Sequence, residues 1–105
     1  MKAVKPFLIL MSVFLALSVF AQLKLTEIEK SAENGDIHAQ IYLCGSYYDG
    51  TIDENITQDY KKTIKWCTKA ANRGDALSQY ILGIMYQLGN VVSQDYKKAV
   101  EWVVH

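Results

Sequence analysis

One nine-residue block occurs twice in this chain and constrains its fold more than any other feature. The first copy, GDIHAQIYL, begins at Gly35, and the second, GDALSQYIL, begins at Gly74, 39 residues later. Each copy leads through a tyrosine-rich segment, a glycine and a polar loop to a second shared block, QDYKKTIKW from Gln58 and QDYKKAVEW from Gln94. Self-similarity at a period of about 20 to 50 residues is typical of stacked-repeat proteins. The sequence therefore predicts a repeat architecture.

Helix start and stop signals divide the repeats into helices. Gly35-Asp36 and Gly74-Asp75 each place a helix-ending glycine before an N-cap aspartate. A first helix is expected within residues 23–34, where Thr26 and Glu29 match a capping box. Further helices are expected at about 37–49, 60–73, 76–88 and from 96 onward, with no strand. Short loops between consecutive helices favour antiparallel packing. The predicted fold is all-α, a short α-solenoid of antiparallel helix pairs.

Apolar residues at helical spacing predict which faces are buried. For the first helix of copy one, they form a stripe of Ala39, Tyr42, Leu43 and Tyr47. For the second helix, they form a stripe of Tyr60, Ile64, Cys67 and Ala71. The lysines of that second helix fall mainly on the opposite face, which we interpret as solvated: Lys61, Lys62, Lys65 and Lys69.

The N-terminus has the pattern of a secretory signal peptide. Lys2 and Lys5 precede an apolar run over residues 7–20, and Val19-Phe20-Ala21 offers an A-x-A-like cleavage site. The alternative is an uncleaved anchor, for which the run is short. Cleavage after Ala21 gives a domain of residues 22–105, secreted or periplasmic, with no membrane contact afterwards. Nine basic and eleven acidic residues then remain, without the basic stripe that nucleic-acid binding needs.

Two cysteines, Cys44 and Cys67, lie in this exported segment. An oxidising compartment permits a disulfide between them. The alternative is that each is a small buried apolar residue with a free thiol. Bridging requires Cα atoms within about 7 Å, so the sequence alone leaves both readings open.

The shared blocks resemble the Sel-one-like repeat, a relative of the tetratricopeptide repeat. Copy two has the pattern Leu-Gly-x-x-Tyr from Leu82, and both copies end on the pattern Gln-Asp-Tyr-x-Lys-(Ala/Thr)-x-x-Trp. Copy one departs at two small positions, with Cys44 where copy two has Gly83 and Thr63 where it has Ala99. The resemblance covers Gly35 to Trp102. It implies two repeats, at about 35–73 and 74–105, with an N-terminal half-repeat before them.

The resemblance also implies adaptor work without catalysis. In that family a concave wall built from the first helices holds a protein or peptide partner. Carried over by position, the wall consists here of His38, Ile41, Tyr48, Leu77, Tyr80, Ile84 and Gln87.

Signatures of catalysis or metal binding are missing from the sequence. None of its serines begins a Ser-x-x-Lys motif, which argues against the β-lactam hydrolysis linked to some relatives. The loop from Asp53 starts like a calcium loop, but Gln58 and Ile64 replace its required glycine and glutamate. His38 and Cys44, six residues apart, face different directions on one helix. We therefore expect no catalytic, cofactor or metal site.

The end of copy two is about a turn shorter than that of copy one. Val100, Val103 and Val104 are therefore expected to be incompletely covered, and solenoids normally need capped ends. Self-association through this last helix is one expectation. The other is that the chain is a structural or truncated segment of a longer repeat array, without an independent partner.

Overall fold

Five α-helices form the part of the chain that the computed structural model describes, residues 4–89 and 96–104. These ranges contain no strand, and the helices agree with the predicted all-α repeat fold. Consecutive helices from α2 to α5 pack in pairs, and α4 also contacts α2. The helices are α1 (Val4–Glu33), α2 (Ile37–Tyr48), α3 (Tyr60–Ala71), α4 (Ala76–Leu88) and α5 (Tyr96–Val104).

The two Gly-Asp pairs end one helix and start the next, as predicted. The Asp36 carboxylate accepts hydrogen bonds from the amides of His38 and Ala39, and the Asp75 carboxylate accepts one from the amide of Ser78. Gly35 and Gly74 have φ of 99° and 96°, a region that side chains disfavour. Both connections therefore turn the chain tightly, and the helices on either side are brought into contact.

A pair of glycine substitutions tests this turn. Gly74→Ala is expected to lower the free energy of unfolding by about 1–2 kcal/mol, because alanine is strained at positive φ. Gly45→Ala, inside α2, is expected to raise it by about 0.5–1 kcal/mol, because alanine favours helix and its Cβ would lie 3.9 Å from Ile52 Cδ1, an ordinary contact. Urea denaturation measures the change in the free energy of unfolding for each variant. If both changes have the same sign, the backbone geometry assigned to these two glycines is contradicted.

The glutamine in each repeated block ties its helix to the preceding one. Gln40 Nε2 in α2 donates to the carbonyl of Ala32 in α1, at 3.0 Å. Gln79 Nε2 in α4 donates to the carbonyl of Ala71 in α3, at 3.2 Å. Both acceptors lie in the last turn of a helix, and each also accepts a hydrogen bond from the amide of the turn glycine, Gly35 or Gly74. The motif thus encodes the same joint twice, which makes the α1–α2 junction equivalent to the α3–α4 junction.

The core runs along the interface of the first four helices, and it corrects one expectation for α2. Leu43 and Tyr47 are buried as predicted, and Ala39 is partly buried. Tyr42 is 40% exposed, so its place in the buried stripe was predicted wrongly. Gln40 is buried because the face of α2 that packs against α1 and α3 is rotated around the helix by about one residue position from the predicted apolar stripe.

Helix α3 is buried on a wider face than its apolar stripe suggested. Cys67 and Ala71 are buried, whereas Tyr60 and Ile64 are only partly buried. α3 packs against both α2 and α4, so its contact surface extends to positions outside the predicted stripe. Those additional buried residues are Thr63, Trp66 and Ala70. The lysines on the other side are exposed, as expected.

Helix α1 passes without interruption through the predicted capping box. Thr26 lies inside the helix, where its hydroxyl donates to the carbonyl of Gln22 instead of capping a helix start. The capping-box prediction was therefore wrong, because the apolar run before Thr26 is itself helical and continuous with the domain. Residues Ile9–Glu33 are long and apolar enough to cross a membrane, a property that signal sequences share. Near the C-terminal end of α1, Ala32 is buried against the repeats.

One of the three valines expected to be incompletely covered in α5 has a side chain that the structure describes. Val100 is 59% exposed, as the short end of copy two predicts. The other two valines of that prediction, Val103 and Val104, have side chains that lie outside the described residues.

Candidate protein-binding surface

The residues assigned to the concave wall lie on α2 and α4, which contact each other. We call this set the first-helix wall. Its most exposed apolar members are Leu77 and Tyr80, at 53% and 57% exposure. His38 and Gln87 are exposed, and Ile41, Ile84 and Tyr48 are partly buried. By repeat position, Leu77 corresponds to His38 and Tyr80 to Ile41, so the wall presents two equivalent rows.

Tyr48 contributes to packing as well as to this wall. Its ring lies 6.2 Å from the ring of Tyr60, centroid to centroid, and it packs against the core. Gln58 Nε2 donates to the Tyr48 carbonyl and to the Tyr60 hydroxyl oxygen. Tyr48 therefore fastens the end of α2 to the start of α3, and Leu77 and Tyr80 are the better candidates for partner contact.

A second surface, the α1–α2 groove, was not foreseen. It encloses about 480 Å³ between α1, α2 and the loop after α2. Exposed Tyr42 is the residue of α2 that lines the groove, and its hydroxyl donates to the Asp53 carboxylate. The loop that walls it on one side is three residues longer than its counterpart in copy two. The groove is lined by Ala21, Lys24, Leu25, Ile28, Tyr42, Thr51, Ile52, Asp53, Glu54 and Asn55.

Hydrogen bonding sets the charge state at the rim of the groove. The Tyr42 hydroxyl, followed by the Asn55 amide, holds the pKa of Asp53 below its usual range, and the charge of Lys24 acts in the same direction. The same bond to Asp53, followed by desolvation, raises the pKa of Tyr42. Asp53 is therefore ionised at neutral pH and Tyr42 is protonated, which leaves the rim with two carboxylates and one lysine.

Removing the Tyr42 hydroxyl is expected to raise the pKa of Asp53. In Tyr42→Phe the carboxylate loses a donor that favours its charged form, so protonation becomes easier. Carboxyl carbon shifts followed by NMR through an acid titration measure this change. Asp49, whose pKa is lowered chiefly by Thr51, is the internal reference and should not move. An unchanged Asp53 titration would show that the Tyr42–Asp53 hydrogen bond does not form in solution.

Two lysines, a glutamate and a tryptophan ring form a network between α1 and α3. Lys65 Nζ pairs with Glu33 of α1 at 2.5 Å, and Lys69 Nζ lies 3.6 Å from the same carboxylate. The bond from Lys65 lowers the pKa of Glu33. Both ammonium groups also lie over the Trp66 ring, at 4.5 and 5.6 Å from its centroid. These lysines thus cover the packed tryptophan, in keeping with a solvated face.

Cys44 and Cys67 form a disulfide between α2 and α3. Their Cα atoms lie 4.7 Å apart, within the range that bridging requires, and both residues are fully buried. Of the two readings left open by the sequence, the structure has the bridge. Copy two has no cysteine at either position, since Gly83 stands where copy one has Cys44 and Val103 stands where it has Cys67.

Family models of the Sel1 repeat match residues 37–75 and 76–103, which together cover more than half of the chain. The chain belongs to the Sel1 repeat family. Sel1 repeats are helical repeats that often mediate protein–protein interaction and are generally of a non-catalytic scaffold type. The resemblance drawn from the Gly-Asp and Gln-Asp-Tyr blocks is thereby confirmed.

Two solved structures of Sel1-like repeat proteins are similar to this Sel1 repeat chain. One is a protective antigen present in uropathogenic Escherichia coli strains and displaying an SLR fold, with 35% identity over 74% of this chain and a TM-score of 0.61. The other is a Sel1 repeat protein from Oxalobacter formigenes, with 33% identity over 83% of this chain and a TM-score of 0.64. The matches span 16% and 24% of those proteins. No curated protein matched the chain.

Proposed function

We propose that this Sel1 repeat protein is an exported adaptor without catalytic activity, which holds a protein or peptide partner on the first-helix wall. The observation that carries the proposal is the exposure of Leu77 and Tyr80, both more than half exposed, beside fully buried Leu82 on the same helix. Two large apolar side chains one turn apart, on a helix whose opposite face is buried through Leu82 and Met85, match the aromatic and aliphatic anchors of protein interfaces.

The first-helix wall combines these anchors with polar groups. His38 and Gln87 are exposed on the same two helices, and polar side chains of this kind border the apolar contacts of protein interfaces. No group of three or more His, Cys, Asp or Glu side chains suited to a metal ion occurs within the described ranges. The wall is suited to recognition by direct contact, with Leu77 and Tyr80 as its most exposed apolar side chains.

Export is supported by the N-terminal part of α1. Its apolar side chains, from Ile9 to Phe20, are mostly more than half exposed and find no partner surface in the repeats. A signal sequence that is removed after Ala21 accounts for such a segment. In this proposal α1 is shortened to its last turns, from Gln22 onward, which remain packed on α2 through Ala32.

The experiment that tests the function is partner capture from the exported fraction. Full-length chains are expressed with a C-terminal affinity tag as wild type, Leu77→Asp/Tyr80→Asp and, as a control on α5, Val100→Asp. We expect the double variant to capture at least tenfold less partner than the wild type, because burying two carboxylates in an apolar interface is unfavourable. Val100→Asp should capture as much partner as the wild type. Circular dichroism checks that all three remain folded.

Equal capture by all three chains would remove the first-helix wall as the binding site. If no partner is captured by any of them, the alternative reading is favoured, in which this is a structural segment of a longer repeat array. Size-exclusion chromatography then separates a folded monomer from a self-associated chain.

A further inference from the structure

The α1–α2 groove corresponds to a site that is filled in the next repeat. The glutamine joints make the α1–α2 junction equivalent to the α3–α4 junction. At the α3–α4 junction, α2 lies against both helices. At the α1–α2 junction, the described residues place no helix in the corresponding position, and the space there is the groove of about 480 Å³.

If a helix is missing at the α1–α2 junction, residues there should be more exposed than their counterparts at the α3–α4 junction, and they are. Tyr42 in the groove corresponds to Ile81 of α4, 39 residues later; Tyr42 is 40% exposed and Ile81 is 5% exposed. Ile28 corresponds to Cys67, which is fully buried and bonded to α2, whereas Ile28 is only partly buried. The groove thus exposes side chains whose counterparts are covered by a helix.

We propose that the α1–α2 groove binds an amphipathic helix of a partner protein, oriented parallel to α2 and carrying a basic residue in its last turn. The orientation follows from the repeat, in which the first helices α2 and α4 run in the same direction. This site is separate from the first-helix wall. A helix bound in the groove would cover Tyr42 and Ile28, whereas a partner on the wall would contact Leu77 and Tyr80.

The requirement for a basic residue follows from charge at one end of the groove. The loop with Asp53 and Glu54 follows the C-terminal end of α2, so a helix parallel to α2 brings its own C-terminal end to these carboxylates. A helix C-terminus carries a partial negative charge. Lys24 acts on Asp53, whereas Glu54 is exposed. A lysine or arginine in the partner's last turn would pair with Glu54 and would also offset the partial negative charge of the partner helix's own C-terminus.

The chain's own α4 provides the probe. A synthetic peptide with the sequence of residues 75–89, which includes the N-cap Asp75 and the small Gly83, is made in its natural form and as Leu88→Lys. Fluorescence anisotropy measures binding of each peptide to the protein recovered after expression of the full chain. We expect the Leu88→Lys peptide to bind at least fivefold more tightly at low ionic strength, with the difference shrinking in high salt.

Groove variants locate the binding. Tyr42→Arg and Ile52→Lys place charged side chains at exposed groove positions and are expected to weaken binding of the Leu88→Lys peptide at least tenfold. Val100→Arg, at an exposed position of α5, should not change the affinity for this peptide. Two variants are used so that a folding defect in one, detected by circular dichroism, does not decide the result.

Three outcomes would overturn the proposal. In the first, neither peptide binds the wild-type protein. In the second, the Tyr42→Arg and Ile52→Lys proteins are folded and bind the Leu88→Lys peptide as tightly as the wild type does. In the third, sedimentation shows a dimer of the protein alone that Tyr42→Arg dissociates, which would assign the groove to a second copy. Each is distinguishable from failure of the first-helix wall, which is read from capture by the Leu77→Asp/Tyr80→Asp variant.

Discussion

Replacing Trp66 with alanine is expected to lower the free energy of unfolding by about 3–5 kcal/mol, the range for large aromatic residues removed from a core. Trp66 is 2% exposed and belongs to the core formed with α1, α2 and α4. The loss leaves a cavity under Lys65 and Lys69, whose ammonium groups then lack the ring beneath them. Native domains have total stabilities of about 5–15 kcal/mol, so the variant should lose a large fraction of its stability and unfold at a clearly lower urea concentration than the wild type.

The matched control is Trp102→Ala, at the equivalent position of copy two. Trp102 is only partly buried, so less apolar area returns to water on unfolding and the loss should be clearly smaller. Urea denaturation followed by circular dichroism compares the two variants. Equal losses, or a loss under about 1 kcal/mol for Trp66→Ala, would contradict the packing described for α3.

Reduction of the Cys44–Cys67 disulfide is expected to cost about 3 kcal/mol. The bridge closes a loop with a sequence separation of 23 residues, and chain-entropy estimates for loops of this size give about 3 kcal/mol. At about 4–8 °C per kcal/mol for a domain of this size, the melting temperature should fall by more than about 10 °C. Thermal denaturation with and without a thiol reductant measures the shift.

Cys44→Ala/Cys67→Ala serves as the control for the reductant. This double variant should melt near the temperature of the reduced wild type and should be insensitive to thiol. The prediction is contradicted if reductant leaves the melting temperature of the wild type unchanged and the double variant melts at that same temperature. The bridge would then not constrain the unfolded chain. A thiol assay on the exported protein gives the fraction that is bridged.

The repeat architecture was predictable because its signals are local. Gly35-Asp36 and Gly74-Asp75 encode a positive φ followed by a capping carboxylate, and both requirements are met by residue type alone. The start of α3 follows in the same way from Asp59, whose carboxylate accepts the amide of Lys62. Signals of this kind depend on a few neighbouring residues, so they are readable without knowing what the helix packs against.

Faces and surfaces were less predictable because they depend on neighbours distant in sequence. Tyr42 has the spacing of a buried residue, and its counterpart Ile81 is buried, but the helix that covers Ile81 has no equivalent over Tyr42 within the described residues. Thr63 and Trp66 are buried because α3 has neighbours on two sides. Thr26 matched a helix start, yet the helix begins earlier, because local pattern does not show what precedes it.

The α1–α2 groove escaped sequence reasoning for the same reason. Its walls come from three separate stretches of the chain, residues 21–28, Tyr42 and residues 51–55, and no sequence motif marks them as parts of one groove. The extra length of the loop after Gly50 was visible, but its position against Tyr42 was not. In hindsight, the signal was the asymmetry between the copies at Tyr42 and Ile81.

The glutamine joint has a consequence for how such proteins grow. Each unit carries its own connector, since Gln40 and Gln79 reach only to a main-chain carbonyl and need no particular side chain on the preceding helix. A segment duplicated from one Gly-Asp turn to the next would arrive with this attachment already in place. Tandem gene duplication can therefore lengthen the array without any compensating mutation at the new boundary.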